Sequence, residues 1–348
     1  MKYYIINILF VSILLYSSNV PAQQMPRYSQ YIMNEFLINP AVAGYDGRTS
    51  LNISARKELL GFISNTPETY SFSAQSRVLK KGFSIKSGLF GKTSFRSSSK
   101  GRVGIGVNFL KDVNVAIHRT GFQFTYAYHI FIENSQLSFG LTGSIFQFKV
   151  SGDDFVYKDP NDIVIDGLTN GIIVPDANLG VNFMTQNYHV GLSVAQLFKS
   201  KIQFGKYTDF NDTNATPFTR HYYLVGSYRR AFFRKPQWEV EPSTLLRITK
   251  LSFKKDDRDI RYTVDLSAKF IYNREYWAGL SFRTSEELLS NNKEIVLMLG
   301  IKLSRYYIGY SFDYGINNLS RYTIGSHEIT LSLKLGDSTR RYRWLERY

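Results

Sequence analysis

The chain has 348 residues, no cysteine and a formal net charge of +15 at pH 7. The lack of cysteine excludes disulfides and thiolate metal sites. No nucleic-acid-binding motif accompanies the positive charge, so we assign the excess to loops, a lumen or a basic tail and expect no nucleic-acid partner.

Residues 1–22 have the pattern of a secretory signal peptide. Lys2 precedes the apolar run 5–15, and the small residues Val20 and Ala22 fit cleavage after Ala22. The run is shorter than the ~20 residues that a membrane-spanning helix needs, which disfavours the alternative of a membrane anchor. We therefore predict that the mature chain is exported.

Residues 23–48 are too apolar for a linker. Tyr28, Tyr31 and Phe36 show no period of two, and Asn39-Pro40 would stop a helix. We predict a short helix or irregular strip that packs against the strands that follow. If those strands close into a barrel, the strip would plug the lumen or cover its periplasmic rim.

From residue 49 to residue 335, every second residue of many short segments is apolar. Phe122 and Phe124, for example, alternate with Gln123 and Thr125. This period predicts β-strands, because successive side chains of a strand point to opposite faces. The predicted strand centres are Ile53, Phe72, Ile105, Phe124, Phe139, Val181, Leu192, Val225, Leu245, Val264, Leu280, Leu297, Tyr310 and Leu331.

The connections distinguish a membrane barrel from a soluble sandwich. Short connections near 133–135, 186–187, 233–236, 273–274 and 304 alternate with longer ones at 57–68, 111–118, 149–175, 200–219, 249–258, 285–292 and 315–325. Outer-membrane barrels have short periplasmic turns and long outer loops, and an even strand count leaves both ends in the periplasm. We therefore predict an all-β fold, a transmembrane antiparallel β-barrel of about 14 strands over residues 49–335. The abundance of aromatic residues, 25 Tyr and 26 Phe, suits the aromatic girdles of such a barrel.

Two further segments stand outside the alternation. Residues 79–102 make a long connection where a short periplasmic turn is expected, and they form either an arm or an additional pair of strands. Residues 336–348 interleave cations and aromatics after the last strand, and we predict a basic periplasmic tail.

The inward parity of the predicted strands carries both signs of charge. Its charged residues are Asp265, Asp313, Glu239, Glu241, Lys269, Lys302, Lys334 and Arg283. Mixed charges can pair inside a lumen and rigidify it, which favours a filled barrel over an open pore, with an ordinary wet lumen as the alternative.

Catalytic and metal chemistry find little support in the sequence. The five histidines are scattered, and no local signature marks a nucleophile, so we expect no catalytic residue, no metal and no cofactor. His327-Glu328 is the most suggestive pair, but packing at the mouth of the last strand explains it better. The acidic cluster in residues 153–166 could bind calcium, although its spacing fits no EF-hand and a solvated loop is the preferred interpretation.

Short motifs occur in a fixed order along the chain. Ser29-Gln30-Tyr31, Asn39-Pro40-Ala41 and Gly44 precede the barrel, Tyr276-Trp277-Ala278-Gly279 lies within it, and Ser326-His327-Glu328 opens the last strand. Together they resemble the PorP/SprF family of outer-membrane proteins that are associated with type IX secretion. The resemblance implies structural or partner-binding roles for these motif residues at both ends of the chain.

The same resemblance implies a non-enzymatic protein of the Gram-negative outer membrane. Its expected partners are outer-membrane lipid, the type IX secretion machinery, a secreted adhesin of the gliding-motility type and periplasmic proteins. An outer-membrane porin, or a hydrophobic-substrate transporter of the fatty-acid-channel type, is the second hypothesis. A lipid-modifying enzyme is the third.

Overall fold

The structure is a computed structural model that describes residues 25–61, 66–78, 102–114, 117–150, 171–198, 200–202, 216–217, 219–232, 235–250, 260–287 and 290–335. The predicted signal peptide, residues 79–101, the acidic cluster 153–166 and the predicted tail lie outside these described residues. Within them, no helix is both long and apolar enough to cross a bilayer.

Most of the described chain is β-strand. The strands are β1 (Thr49–Leu60), β2 (Glu68–Val78), β3 (Val103–Asn114), β4 (Ile117–Ile132), β5 (Ser135–Val150), β6 (Ile172–Thr185), β7 (Tyr188–Ala195), β8 (Lys201–Ile202), β9 (Thr216–Pro217), β10 (His221–Tyr228), β11 (Arg230–Phe232), β12 (Lys235–Lys250), β13 (Ile260–Tyr272), β14 (Tyr276–Glu287), β15 (Ser290–Leu303), β16 (Tyr306–Gly315) and β17 (Gly325–Leu335). Short 3-10 helices cover Glu35–Leu37, Pro40–Val42 and Asn318–Arg321.

The strands form a closed antiparallel barrel. Wall strands that follow one another in the chain pair with one another, β10 pairs with both β7 and β12, and β1 pairs with β17. β10 and β11 are two parts of one wall strand separated at Arg229, whereas β8 and β9 form a ribbon of their own. The wall in the described residues thus has 14 strands, and each predicted strand centre lies in a different one, which confirms the predicted fold class.

The two faces of the wall differ in polarity as the alternation predicts. In β4, Phe124 is 50% exposed, whereas Thr125 is 1% exposed. The exposed parity of the wall is rich in Phe, Leu, Ile and Tyr, and the buried parity is rich in Ser, Thr, Asn and charged residues. The apolar outer face is suited to contact with the lipid chains of a bilayer, and the polar inner face lines the lumen.

The short connections lie together at one end of the barrel. Turns at 133–134, 186–187, 273–275 and 304–305 share this end with the start of β1 and the finish of β17, because Thr49 pairs with Leu335. We term this end of the barrel the short-turn end. Tyr272 pairs with Tyr276 across a three-residue loop, in which Asn273 and Arg274 both have positive φ.

Two of the predicted long outer loops are wrong. β3 and β4 remain paired as far as Asn114 and Ile117, and β14 and β15 as far as Glu287 and Ser290, so residues 111–118 and 285–292 are mostly strand. The hydrogen bonds of a ladder need no apolar side chains, and polar residues therefore continue these strands beyond the apolar band.

Replacing Leu297, which lies in the middle of β15 and is 51% exposed, with Lys tests the lipid-facing assignment. We expect the free energy of unfolding from a bilayer to fall by about 2–4 kcal/mol, because a cation is costly near the midplane. Leu303→Lys is the matched control, since Leu303 is 52% exposed at the end of the same strand, where the cost falls to about 0–1 kcal/mol. Urea unfolding in lipid vesicles measures both values, and equal losses would contradict the assignment.

Candidate functional site

Residues 25–48, named the N-terminal segment, lie inside the lumen. Tyr31, Ala41, Val42 and Ala43 are each at most 2% exposed. The second 3-10 helix of the segment begins at Asn39, whose Oδ1 accepts a hydrogen bond from the Ala41 amide at 3.0 Å, with proline at the next position. Asn as an N-cap and Pro in the first turn are favoured at helix starts, so the Asn39-Pro40-Ala41 motif specifies this tight turn.

The start of the segment is bound by the last strand. Glu328 of β17 accepts hydrogen bonds from the backbone amides of Ser29, at 2.7 Å, and Gln30, at 3.3 Å. The Gln30 side-chain amide donates to the Glu328 carbonyl at 3.2 Å. The structure therefore brings together motif residues from opposite ends of the sequence, with a carboxylate holding two consecutive amides.

A buried network of charges surrounds this contact. Asp313 of β16 lies between two guanidinium groups, with Arg56 Nη2 at 2.8 Å and Arg283 Nη1 at 3.3 Å. Arg56 also reaches Glu328 at 3.3 Å. The Ser29 hydroxyl donates to Asp313 at 2.5 Å and accepts from Arg56 at 2.8 Å, so it uses both of its hydrogen-bonding functions.

The middle of the segment is held by apolar packing. Tyr31 and Ile38 belong to a buried cluster with wall residues of β7, β10 and β12, namely Ala195, Tyr223, Val225 and Leu245. Phe36 packs with Ala127 of β4, and Val42 packs with Met184 of β6. Burying side chains of this size stabilises docking by about 1.5–3 kcal/mol each.

Glycines of the wall make room for the segment. A Cβ atom added at any of six inward-facing glycines would collide with segment atoms, and these glycines are Gly104, Gly106, Gly140, Gly180, Gly191 and Gly309. At Gly140 the added atom would overlap the Pro40–Ala41 backbone, whereas at Gly143 of the same strand it would meet nothing within 4 Å. The inner wall is therefore shaped to the backbone of the Asn39-Pro40-Ala41 turn.

The end of the segment is held by β2. Gln75 accepts from the Gly44 amide at 3.1 Å, and Arg77 donates to the carbonyls of Gly44 and Tyr45 at 2.9 and 2.5 Å. Gly44 has φ +66°, and its added Cβ would lie 2.8 Å from backbone atoms of β2. Only glycine fits both the left-handed conformation and the close approach.

The three residues of the Ser326-His327-Glu328 motif have separate environments. Glu328 faces the lumen, while His327 is on the outer face, where its Nδ1 lies 2.6 Å from the Tyr310 hydroxyl and its ring packs on Phe312. The Ser326 hydroxyl accepts from the Leu59 amide at 3.3 Å. Adjacent strand residues point to opposite faces, so His327 and Glu328 do not form a catalytic pair.

The two tyrosines at the start of the segment remain neutral phenols. Burial raises the pKa of Tyr31 to about 12, and burial, together with the nearby Asp112 carboxylate, raises the pKa of Tyr28 further. Both side chains therefore stay protonated near neutral pH. Within the described residues, no group of three His, Asp or Glu side chains is arranged to hold a metal ion.

The predicted inward charges do face the lumen, and they pair mainly with near neighbours. Arg283 Nε lies 2.8 Å from Asp265, its cross-strand partner, and Lys269 lies 3.4 Å from Glu241, also its partner. Sequence reasoning missed Arg56 and Arg77, which both donate hydrogen bonds to the segment. Both lie on the polar parity of their strands, which is the signal that would have found them.

The closed wall, apolar outside and polar inside, defines an outer-membrane β-barrel protein. The family model for the type IX secretion system membrane protein PorP/SprF matches residues 20–333. The chain belongs to the PorP/SprF family, which confirms the resemblance seen in its motifs, and it is an outer-membrane protein associated with type IX secretion.

Similarity to characterised proteins is otherwise distant. The CymD monoaromatic hydrocarbon channel aligns with a TM-score of 0.48 and 12% identity over 92% of this chain and 95% of CymD. The outer-membrane protein Omp33 of Acinetobacter baumannii aligns with a TM-score of 0.43 and 9% identity over 84% of this chain and all of Omp33. Among curated proteins, none matches the sequence. At such identities, neither likeness indicates what this chain binds.

Arg56→Met tests the buried network. We expect the free energy of unfolding to fall by about 3–5 kcal/mol, because Asp313 and Glu328 would lose a buried cation. The matched control is Lys57→Met, which breaks an ion pair with Glu68 at the surface and should leave the free energy of unfolding unchanged. Urea unfolding measures both, and a tolerated Arg56→Met would show that the network does not stabilise the fold.

Gly140→Ala tests the fit between the wall and the segment. The added methyl should displace the turn at residues 39–42, so the amides of residues 39 and 41–44 should exchange with deuterium about tenfold faster, the change that ~1.4 kcal/mol of lost docking energy produces. Gly143→Ala adds the same methyl where nothing lies within 4 Å and should leave exchange unchanged. Equal exchange in the two variants would rule out steric fit as the cause of docking.

Proposed function

We propose that the protein is a closed barrel that supports the export or surface attachment of a large secreted adhesin by the type IX machinery, of the kind used in gliding motility. The observation that carries this proposal is the occupancy of the lumen by the N-terminal segment. A filled barrel serves as a membrane-anchored platform rather than a pore, with loops available to the adhesin and short turns available to periplasmic partners.

The contacts that hold the segment support a permanent filling. The wall binds the segment near its start through Glu328, at its middle through the Val181 carbonyl, which accepts a hydrogen bond from the Asn39 side chain, and near its end through Arg77. Release of the segment would leave buried charged groups without hydrogen-bond partners. Each hydrogen bond to a charged group contributes about 1.5–3 kcal/mol to docking of the segment. In this proposal the motif residues act by positioning the segment, and the surfaces that contact partners lie elsewhere.

Transport of a small solute is the competing function, in the form of a porin or a fatty-acid-channel type of transporter. It requires a continuous path through the lumen, and a hydrophobic substrate would also require an apolar lining. The inner wall in the described residues is mainly polar, and the segment crosses the space that such a path would need. The inner surface therefore favours the platform over the transporter.

Single-channel recording on the full-length protein in planar bilayers separates the two functions. We expect no steady conductance from the wild type, and stepwise conductance after deletion of residues 25–44, because a wall of 14 strands encloses a wide lumen once it is emptied. Gly140→Ala should show intermittent opening, and Gly143→Ala should behave as the wild type. Steady wild-type conductance would favour transport.

A parallel experiment on cells tests the adhesin. Cells that lack this chain should lose the surface adhesin, and the wild type or Gly143→Ala should restore it. Surface immunofluorescence of the adhesin is the readout. Normal display in the absence of the chain would overturn the proposed role, whatever the conductance.

A further inference from the structure

A groove crosses the outer face of the barrel over β10, β12 and β13. Gly226, Pro242 and Ala268 line it, one from each of these strands, and Tyr228 and Phe282 add large side chains to its lining. All five belong to the parity that points away from the lumen. The groove therefore opens toward the apolar phase of the membrane, with the small residues as its floor.

The floor of the groove reaches the backbone of the wall. Ser227, Ser243 and Ser267 also line the groove, although alternation turns their side chains toward the lumen. Two of them, Ser243 and Ser267, are only 7% and 6% exposed. Because their side chains face inward, these serines line the outer groove through main-chain atoms.

The strand ladder is interrupted beside the groove. β10 pairs with β12 as far as Ser227 and Ser243, and β11 pairs with β12 again from Arg230 and Val240. Pro242 lies in the gap and has no amide that could bond a neighbouring strand. The interruption adds to the small side chains in accounting for the depth of the groove.

Aromatic pairs mark where the groove meets the membrane interface. Phe270 lines the groove and also a second apolar depression, shared with Trp238 and Tyr272, that continues it toward the short-turn end. The Trp238 and Tyr272 rings lie 4.7 Å apart, and on the β7 side the Tyr188 and Tyr228 rings lie 4.8 Å apart. Tyr and Trp gather at the headgroup level of a bilayer, so this end of the groove lies at that level.

Arg230 places a cation between the two aromatic pairs. It lies opposite Val240 on the outward parity, two residues beyond Tyr228. Within the described residues it makes no hydrogen bond or ion pair, unlike Arg229, which pairs with Glu239 at 2.5 Å. A guanidinium binds phosphate through parallel hydrogen bonds, and a phospholipid headgroup supplies phosphate at this level of the membrane.

The width of the groove favours a hydrocarbon chain over a helix. Its floor spans three neighbouring strands, and strands lie about 4.8 Å apart, so the outer two are separated by roughly 10 Å. Large side chains at the edges narrow this space further, whereas a helix with its side chains is about 10–12 Å across. An acyl chain is thinner, and a bilayer presents it to the apolar outer wall.

We propose that this groove binds one glycerophospholipid of the periplasmic leaflet, with its phosphate on Arg230 and an acyl chain along the floor at Pro242 and Ala268. Short turns face the periplasm in outer-membrane barrels, which fixes the leaflet. The bound lipid covers the backbone that the small side chains leave exposed. The site lies outside the lumen and is separate from the binding of the N-terminal segment.

Native mass spectrometry of the full-length protein in a non-ionic detergent tests the proposal, with dioleoyl phosphatidylglycerol as the probe. We expect one lipid per barrel to stay bound after the detergent is removed in the gas phase. Arg230→Gln and Ala268→Leu should each weaken binding about tenfold, because the first removes charge-assisted hydrogen bonds and the second fills the floor. Arg305→Gln, at an exposed cation of another turn, and Ala74→Leu, at an outward-facing alanine of β2, are the matched controls and should keep wild-type binding.

Three results would overturn the proposal. Equal binding of dioleoylglycerol, which lacks the phosphate, would exclude the role of Arg230, and wild-type binding in both Arg230→Gln and Ala268→Leu would exclude the groove. The chain has no cysteine, so Ala268→Cys can carry a photoreactive label in isolated outer membranes. We expect crosslinks to lipid, and a crosslinked polypeptide would assign the groove to a protein partner instead. Adhesin display is a separate measurement, so failure here is distinguishable from failure of the proposed function.

Discussion

The pairing of β1 with β17 is the constraint on which the rest of the structure depends. A strand edge left open in hydrocarbon would leave a row of amides and carbonyls unpaired, so the wall must close. The register of this closure places Arg56 directly opposite Glu328. That single alignment puts a guanidinium and a carboxylate side by side in the lumen, and the Ser29 amide then binds the carboxylate. A slip of one residue would turn one of the two side chains into lipid and leave the other without its partner.

The polar interior works as one fitted surface rather than as an aqueous lining. Charges near Glu328 bind the backbone at the start of the segment, small residues on β5, β6 and β7 accommodate the turn at Asn39, and β2 binds the Gly44 carbonyl. Each of these contacts involves main-chain groups of the N-terminal segment, which has little regular secondary structure. Such a strip must satisfy its amides and carbonyls with outside partners when buried, and the wall supplies them.

Local patterns predicted more of this molecule than long-range ones did. The strand centres could be predicted because the period of two appears in consecutive residues. Asn39-Pro40 correctly indicated a break in helical structure. The contacts of Arg56 and Gly140 could not be predicted from the sequence. They depend on which strands pair to close the barrel and on how deeply the N-terminal segment lies in the lumen. The extents of β3 and β14 were underestimated, since Asn114 and Glu287 are polar yet paired.

The contact between Ser29 and Glu328 also makes docking at the start of the segment depend on the last wall strand. The two residues are 299 positions apart, and β17 is the last wall strand of the chain. A chain that has not yet joined β17 therefore has no complete binding surface for Ser29 and Gln30. Docking of Ser29 and Gln30 on Glu328 thus depends on closure of the barrel, and a wall that lacks β17 would leave these two amides without their carboxylate.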